Sequence, residues 1–105
     1  MTNSIKTISL REDVISCIKN HKEEIHSTFD VDSLAIFGSV AKGTANAQSD
    51  VDILVRYTMT PGLFKYLKLK NYLETLLGWR VDLVTEGALK KQFQKQILSE
   101  AVDVT

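Results

Sequence analysis

The sequence predicts an α/β (α+β) fold, in which helices pack against a sheet. Apolar residues recur at helical intervals in three long segments, and three short runs, either apolar throughout or alternating, suit strands. A short helix after the first strand completes the order α-β-α-β-α-β-α. With 105 residues, 44% of them hydrophobic, the chain is expected to form a single domain, residues 1–105, around one core.

The first long helix is predicted near residues 10–28. Its apolar face recurs every three or four residues from Leu10, and Ser9 with Glu12 has the spacing of a capping box. The apolar run over residues 33–37 ends abruptly at a glycine. Its length and composition favour a buried strand.

The segment after this strand combines a Gly-Ser turn with a short helix. Residues 39–42 are predicted to form the helix, and Gly43 suits its left-handed C-terminal cap. The polar residues 44–48 read as a connection. The second strand is predicted over Asp50–Arg56.

The second half contains two helices and a strand. Thr60 and Pro61 suit the N-cap and the first position of a second long helix, whose leucine-rich face ends at Gly78. The segment Trp79–Thr85 alternates with strand periodicity. An amphipathic helix is predicted over Leu89–Ala101.

Charge and hydropathy argue against several classes of function. The 13 basic and 13 acidic residues cancel, so the chain lacks the net positive charge that non-specific binding to long nucleic acid requires. No apolar run is long enough to span a bilayer, and the N-terminus lacks a signal-peptide pattern, so we expect a cytoplasmic protein without membrane contact. The single cysteine, Cys17, is interpreted as a buried or half-buried thiol.

Asp50 and Asp52 are candidate metal ligands. Side chains two residues apart on a strand share a face, with Cα atoms roughly 6.6 Å apart. Carboxylate oxygens suit Mg²⁺ or Mn²⁺, and nucleotide phosphate could complete such a site. The alternative is that Asp50 caps the strand and Asp52 is solvated. We favour the metal site because the apolar residues after Asp52 place it at a covered sheet, where an ionised carboxylate needs a partner.

Gly38 and Ser39 are candidate phosphate-binding residues. Gly38 has no Cβ and lets an anion approach the backbone, while the Ser39 hydroxyl and the amides that open the next helix can donate hydrogen bonds. A Gly-Ser turn alone is more often structural, but its spacing from Asp50 favours the functional interpretation. Lys42 can either add positive charge near phosphate or face solvent.

Asp82 is a candidate third carboxylate in the strand Trp79–Thr85. It can either join the first two carboxylates at a cation or pair with Arg80, which alternation places on the same strand face. Three carboxylates at one site repel one another strongly without a metal ion. A position of Asp82 beside the other two would therefore indicate cation binding.

The spacing of these residues resembles that of the nucleotidyltransferase superfamily that includes DNA polymerase beta, and most closely its minimal nucleotidyltransferases (MNT). The shared pattern is Gly-Ser, ten residues and Asp-x-Asp, here Gly38-Ser39, residues 40–49 and Asp50-Val51-Asp52, with Asp82 at the third acidic position. The resemblance implies the nucleotidyltransferase fold, a small mixed sheet of at least three strands flanked by helices. The predicted domain is then a single minimal nucleotidyltransferase.

The resemblance implies an enzyme that transfers a nucleoside monophosphate, AMP from ATP, to an acceptor hydroxyl and releases pyrophosphate. The implied catalytic residues, which would also hold Mg²⁺ or Mn²⁺, are Asp50, Asp52 and Asp82. The implied nucleotide-binding residues are Gly38, Ser39, Lys42 and Ser49. Arginine is usual at the position of Lys42, and lysine keeps the charge but lacks the planar fork.

The resemblance also implies a protein partner, because no acceptor domain is expected in a chain of this length. In minimal family members the acceptor is often an all-helical HEPN protein, a ribonuclease toxin that the nucleotidyltransferase neutralises by adding AMP to a tyrosine. Two alternatives stay open: an antitoxin that acts by contact alone, and an enzyme that modifies a small-molecule hydroxyl. Nucleotide preference and homo-oligomerisation also stay open.

Overall fold

The computed structural model describes residues 10–89 and 91–104 of the chain. This part contains five α-helices and four strands. The helices are α1 (Leu10–Asn20), α2 (Lys22–Phe29), α3 (Gly38–Lys42), α4 (Leu63–Leu77) and α5 (Lys91–Glu100). The strands are β1 (Val31–Phe37), β2 (Val51–Tyr57), β3 (Val81–Thr85) and β4 (Val102–Asp103). The predicted α/β (α+β) fold class is confirmed.

The four strands form one mixed sheet in the order β3-β2-β1-β4. Strand β1 is antiparallel to β2 and to β4, whereas β2 and β3 are parallel. Ile36 lies opposite Ile53, and Val51 lies beside Val81. Since side chains alternate along each strand, this register gives the sheet one apolar inner face and one mixed outer face.

The inner face of the sheet packs against α1, α2 and α4. Full burial of one such aliphatic or aromatic side chain contributes about 1.5–3 kcal/mol, so this layer holds the strands in register. None of the described helices is long and apolar enough to cross a membrane. The core is formed by Val14, Ile18, Ile25, Phe29, Val31, Leu34, Ile36, Val40, Val51, Ile53, Val55, Leu69, Leu73, Val81, Leu83 and Val104.

The outer face of the sheet carries two of the predicted site residues. Asp52 on β2 and Asp82 on β3 lie side by side in the parallel register. Helix α5 covers another part of this face, where its Leu98 lines a small cavity together with Ala35 and Leu54. The helices on the inner face therefore leave the carboxylates accessible from the outer side.

The prediction of a single helix near residues 10–28 is wrong, because the helix is interrupted at His21, between α1 and α2. In a continuous helix the His21 amide would donate to the Cys17 carbonyl. Instead the His21 amide donates to the Ile18 carbonyl at 3.0 Å, and the ring Nδ1 lies 2.9 Å from the Cys17 oxygen. The predicted cap at Ser9 lies outside the described residues.

The predicted start of the second long helix is also wrong. Its N-cap is Gly62 and not Thr60, so Pro61 precedes the helix. The Thr58 amide donates to the Asp30 carbonyl at 2.9 Å, which ties the chain after β2 to the end of α2 and leaves residues 58–62 as a connection. The predicted C-terminal caps Gly43 and Gly78 are confirmed, with left-handed φ values of 78° and 65°.

Strands β2 and β3 begin later than predicted, and strand β4 was not predicted. β2 begins at Val51 and β3 at Val81, so Asp50, Trp79 and Arg80 precede them. The two residues of β4 extend the sheet beside β1, and the Val104 amide then donates to the Leu34 carbonyl at 2.9 Å.

Candidate active site

The predicted phosphate turn and two predicted carboxylates meet at one end of the sheet. Strand β1 ends at Phe37, which lies opposite Asp52, and Asp52 lies beside Asp82. Neighbouring strands are about 4.8 Å apart, so the Gly38 turn, Asp52 and Asp82 form a row roughly 10 Å wide across three strands. Residues that are distant in sequence are brought together here.

The Gly38 turn rests directly against Asp52. Gly38 has a left-handed φ of 70°, and a Cβ at this position would lie 2.2 Å from Oδ2 of Asp52. Only glycine adopts this left-handed backbone conformation without strain and also leaves room for the Asp52 carboxylate. The next residue, Ser39, accepts a hydrogen bond from the Thr44 amide at 2.9 Å through its carbonyl, while its hydroxyl has no partner within residues 10–89 and 91–104. The hydroxyl can therefore donate to a ligand.

Asp52 and Asp82 form a coupled carboxylate pair. Burial is the main cause that raises the pKa of Asp52 to about 6, followed by the negative charge of Asp82, a hydrogen bond to Asp82 and the charge of Asp50. Burial and like charges both disfavour the ionised carboxylate. When both groups are ionised, the pair favours a bound cation.

Asp50 occupies a different position from the one predicted. It lies one residue before β2, where parallel pairing begins with the Val51 amide donating to the Arg80 carbonyl at 2.8 Å, and its charge contributes to the raised pKa of Asp52. Arg80 is thereby placed beside Asp50, and its Nε donates to Oδ1 of Asp50 at 2.7 Å. The alternative in which Arg80 pairs with Asp82 is therefore not what the structure shows.

Ser49 and Lys42 both have protein partners. The Ser49 hydroxyl accepts a hydrogen bond from the Asn46 amide at 3.0 Å, and the Ser49 carbonyl accepts one from Nε1 of Trp79 at 2.6 Å. Lys42 Nζ lies 3.5 Å from Oε1 of Glu100 in an exposed ion pair, a kind that contributes little stability. Nucleotide binding by Ser49 and Lys42 stays a prediction.

Sequence reasoning missed the role of Trp79 and Arg80 as neighbours of the site. The indole of Trp79 holds the residue before Asp50, and Arg80 holds Asp50 itself. In the sequence, both residues stand directly before the strand that carries Asp82. This position places them beside Ser49 and Asp50 only because β2 and β3 are parallel neighbours, and hydrophobic periodicity does not reveal that pairing.

Within the described residues, no three His, Cys, Asp or Glu side chains converge into a ready-made metal centre. Asp50 forms its ion pair with Arg80, whereas Asp52 and Asp82 lie side by side in the parallel register of β2 and β3. Cys17 is half-buried as predicted, and burial raises the pKa of its thiol. Its thiol donates to the Leu76 carbonyl at 3.7 Å.

The profile of the nucleotidyltransferase domain family matches residues 18–104. The chain belongs to the nucleotidyltransferase family. The matched range contains every predicted site residue, from Gly38 to Asp82. The predicted enzyme class, a nucleotidyltransferase, is thereby confirmed.

Individual relatives agree with this assignment to the minimal nucleotidyltransferases. The protein adenylyltransferase MntA of Thermococcus cleftensis is 44% identical over 93 residues, which cover 89% of this chain and 94% of that protein. A solved structure of a candidate minimal nucleotidyltransferase has a TM-score of 0.76 at 33% identity, covering 90% of this chain and 95% of its own. The nucleotidyltransferase fold with a mixed sheet is confirmed.

A more distant solved structure shares the fold. It is the complex of a tri-AMPylated HEPN toxin from Shewanella oneidensis with an MNT antitoxin, of which one chain gives a TM-score of 0.63 at 18% identity. The match covers 87% of this chain and 71% of that one. At this identity the similarity establishes the fold alone.

Proposed function

We propose that the chain, as a single cytoplasmic domain, transfers AMP from ATP to a tyrosine hydroxyl of a HEPN-type helical toxin and so acts as its antitoxin. The observation that carries this proposal is the contact of the Gly38 turn with Asp52, which sets a phosphate-binding turn against the carboxylates. The protein adenylyltransferase activity named for the Thermococcus relative and the AMPylated toxin of the Shewanella complex support the choice of AMP and of a toxin acceptor.

The triphosphate would be bound at the end of β1. The backbone at Gly38 leaves room for phosphate, and the Ser39 hydroxyl, which has no partner among the described residues, would donate a hydrogen bond to it. Lys42 would exchange its exposed partner Glu100 for a phosphate oxygen. Ser49 would contribute from the loop that precedes Asp50.

The carboxylates suit a divalent metal ion. The side-by-side position of Asp52 and Asp82 and the raised pKa of Asp52 favour a cation here, and the donor set contains only oxygen, which Mg²⁺ or Mn²⁺ prefers. Asp52 and Asp82 would hold the metal, and Asp50 would join them by releasing Arg80. When bound, the metal neutralises phosphate charge and polarises the reacting phosphoryl group.

The transfer itself requires few groups of the protein. The acceptor oxygen attacks the α-phosphorus of ATP, a new oxygen–phosphorus bond forms, and the bond from the α-phosphorus to the leaving pyrophosphate breaks. Asp82 is exposed and can accept the proton of the attacking hydroxyl. Because Asp82 faces outward from the sheet, a partner protein can present its tyrosine there. After the bond to the α-phosphorus breaks, Gly38 and Ser39 would still bind the pyrophosphate before it dissociates.

The test combines the purified chain with ATP, Mg²⁺ and the protein encoded by the neighbouring gene, followed by mass spectrometry of that protein. Wild type is expected to add one or more AMP units to a tyrosine. Asp52→Asn preserves shape and removes the carboxylate charge, and is expected to abolish the addition. Asp32→Asn changes an exposed carboxylate on β1 and serves as the matched control with wild-type transfer.

The two open alternatives give different results. If wild type and Asp52→Asn neutralise the partner equally and no mass is added, the chain acts by contact alone. If the partner stays unmodified while a small-molecule hydroxyl receives AMP, the proposed protein acceptor is wrong, but the proposed transfer of AMP is correct. Wild-type transfer by Asp52→Asn would show that Asp52 has no role in catalysis.

A further inference from the structure

A groove of about 620 Å³ lies at the end of the sheet opposite to the carboxylates. It is lined by the last residues of β2, by the connection over residues 58–62 and by the first turn of α4, with Tyr57, Leu63 and Tyr66 among its walls. Tyr57 is separated from Asp52 by roughly 16 Å along β2, at about 3.3 Å per residue. The groove is therefore distinct from the proposed active site.

Exposed apolar side chains flank this groove. They are Met59, Leu63, Phe64 and Leu67, with exposed fractions of 62%, 69%, 80% and 41%. We call these four residues the α4 patch. Phe64 and Leu67 are three positions apart on α4 and so lie on the same helix face. A contiguous apolar surface beside a groove is typical of a protein interaction site.

The charges around the α4 patch leave a small positive excess. Gly62 provides no side-chain cap for α4, and no acidic residue lies in the first turn, so the positive end of the helix is not neutralised. Lys68 lies one turn after Phe64 and has no ion-pair partner within the described part of the chain. The nearby cations Lys65 and Arg56 are each neutralised by a carboxylate.

We propose that the α4 patch docks an acidic, apolar segment of the partner protein. An apolar side chain of that segment enters the groove, in the manner of an anchor residue filling a pocket. Carboxylates next to the anchor face the open N-terminus of α4 and Lys68. The inference rests on the proposed function in one respect, since the docked protein is the one that supplies the acceptor hydroxyl.

The separation of the two sites has a kinetic consequence. Contacts at the α4 patch are made equally before and during transfer, so they contribute to binding without changing the chemical step. Weakening them should raise the KM for the partner and leave kcat unchanged. A merely structural role of these residues would lower kcat as well.

The experiment measures the Kd for the protein encoded by the neighbouring gene by isothermal titration calorimetry. Phe64→Ser and Lys68→Glu are each expected to weaken binding at least tenfold. Phe93→Ser and Lys95→Glu change the same residue types at exposed positions of α5 and are expected to stay within twofold of wild type. In the transfer assay, Phe64→Ser should raise the KM for the partner about tenfold with kcat within twofold of wild type.

Asp52→Asn distinguishes failure of the docking surface from failure of the proposed function. It is expected to bind the partner as wild type does. If wild type transfers nothing but Phe64→Ser still loses tenfold in binding, the docking surface stands and the proposed activity falls. An unchanged Kd for Phe64→Ser, or no binding by wild type, overturns the docking surface. Self-association of wild type in ultracentrifugation that Phe64→Ser abolishes also overturns it, since a second copy then covers the patch.

Discussion

Gly38 meets two separate restrictions on its side chain. Its φ of 70° belongs to the left-handed region, and an added Cβ would overlap Oδ2 of Asp52 at 2.2 Å. The left-handed backbone costs about 1–2 kcal/mol for alanine, and overpacking costs about 1–3 kcal/mol. We expect Gly38→Ala to lower the free energy of unfolding by roughly 2–5 kcal/mol in urea denaturation.

A substitution at Gly43 tests the backbone conformation without the contact to a neighbouring side chain. Gly43 has a φ of 78°, but a Cβ there would meet nothing within 4 Å. Gly43→Ala should therefore lower the free energy of unfolding by only about 1 kcal/mol, from backbone strain alone. Equal losses in both variants would contradict the contact of the Gly38 turn with Asp52.

The raised pKa of Asp52 makes stability depend on pH. Because this pKa is about 6 in the folded protein and 3.8 in the reference state, the folded state binds the proton more tightly. The resulting stabilisation is fully present below pH 3.8 and is lost as the pH rises through about 6. The whole shift corresponds to at most ~3 kcal/mol, and solvent screening at this partly exposed site reduces it to on the order of 1 kcal/mol.

Asp52→Asn tests this linkage because the amide does not ionise. In a metal-free buffer at about pH 7.5, the variant should exceed wild type in free energy of unfolding by on the order of 1 kcal/mol. The difference should shrink toward zero near pH 4, where Asp52 is protonated. Asp32→Asn, at an exposed carboxylate, should show no such change. A difference that is constant across this pH range argues against a perturbed Asp52.

Among the elements, those fixed by local chemistry were predictable. Gly43 and Gly78 end α3 and α4 because a left-handed residue at a helix C-terminus favours glycine. The abrupt end of the first apolar run at Gly38 and the strand that carries Asp52 were also predicted from their residues. The apolar runs predicted the strands themselves, whereas their order and register came only from the structure.

Elements that depend on distant contacts could not be predicted. The two-residue strand β4 is too short to show a pattern and depends on pairing with β1. The ion pair of Asp50 with Arg80 required the parallel register of β2 and β3. In each case a contact between separate segments decided the structure.

At the scale of the whole molecule, chemistry and docking are assigned to opposite ends of one sheet. The carboxylates lie where β2 and β3 begin, and the α4 patch lies where β2 ends. The formal net charge is zero, so the whole chain exerts no general attraction on a polyanion. The proposed binding of ATP therefore depends on local groups, namely the Gly38 turn and the cations Lys42 and Arg80. Such local binding couples directly to the stability of the fold.

Mg²⁺ with ATP should therefore raise the melting temperature of the wild-type protein. A ligand that binds only the native state at ten times its Kd stabilises it by about 1.4 kcal/mol, which corresponds to roughly 6–10 °C for a domain of this size. The combination should exceed Mg²⁺ or ATP alone, because the metal relieves repulsion between the Asp52–Asp82 pair and the phosphates. Asp52→Asn should lose most of the rise, whereas Asp32→Asn should keep it. A melting temperature that stays constant in millimolar Mg²⁺ and ATP is incompatible with a nucleotide site at this end of the sheet.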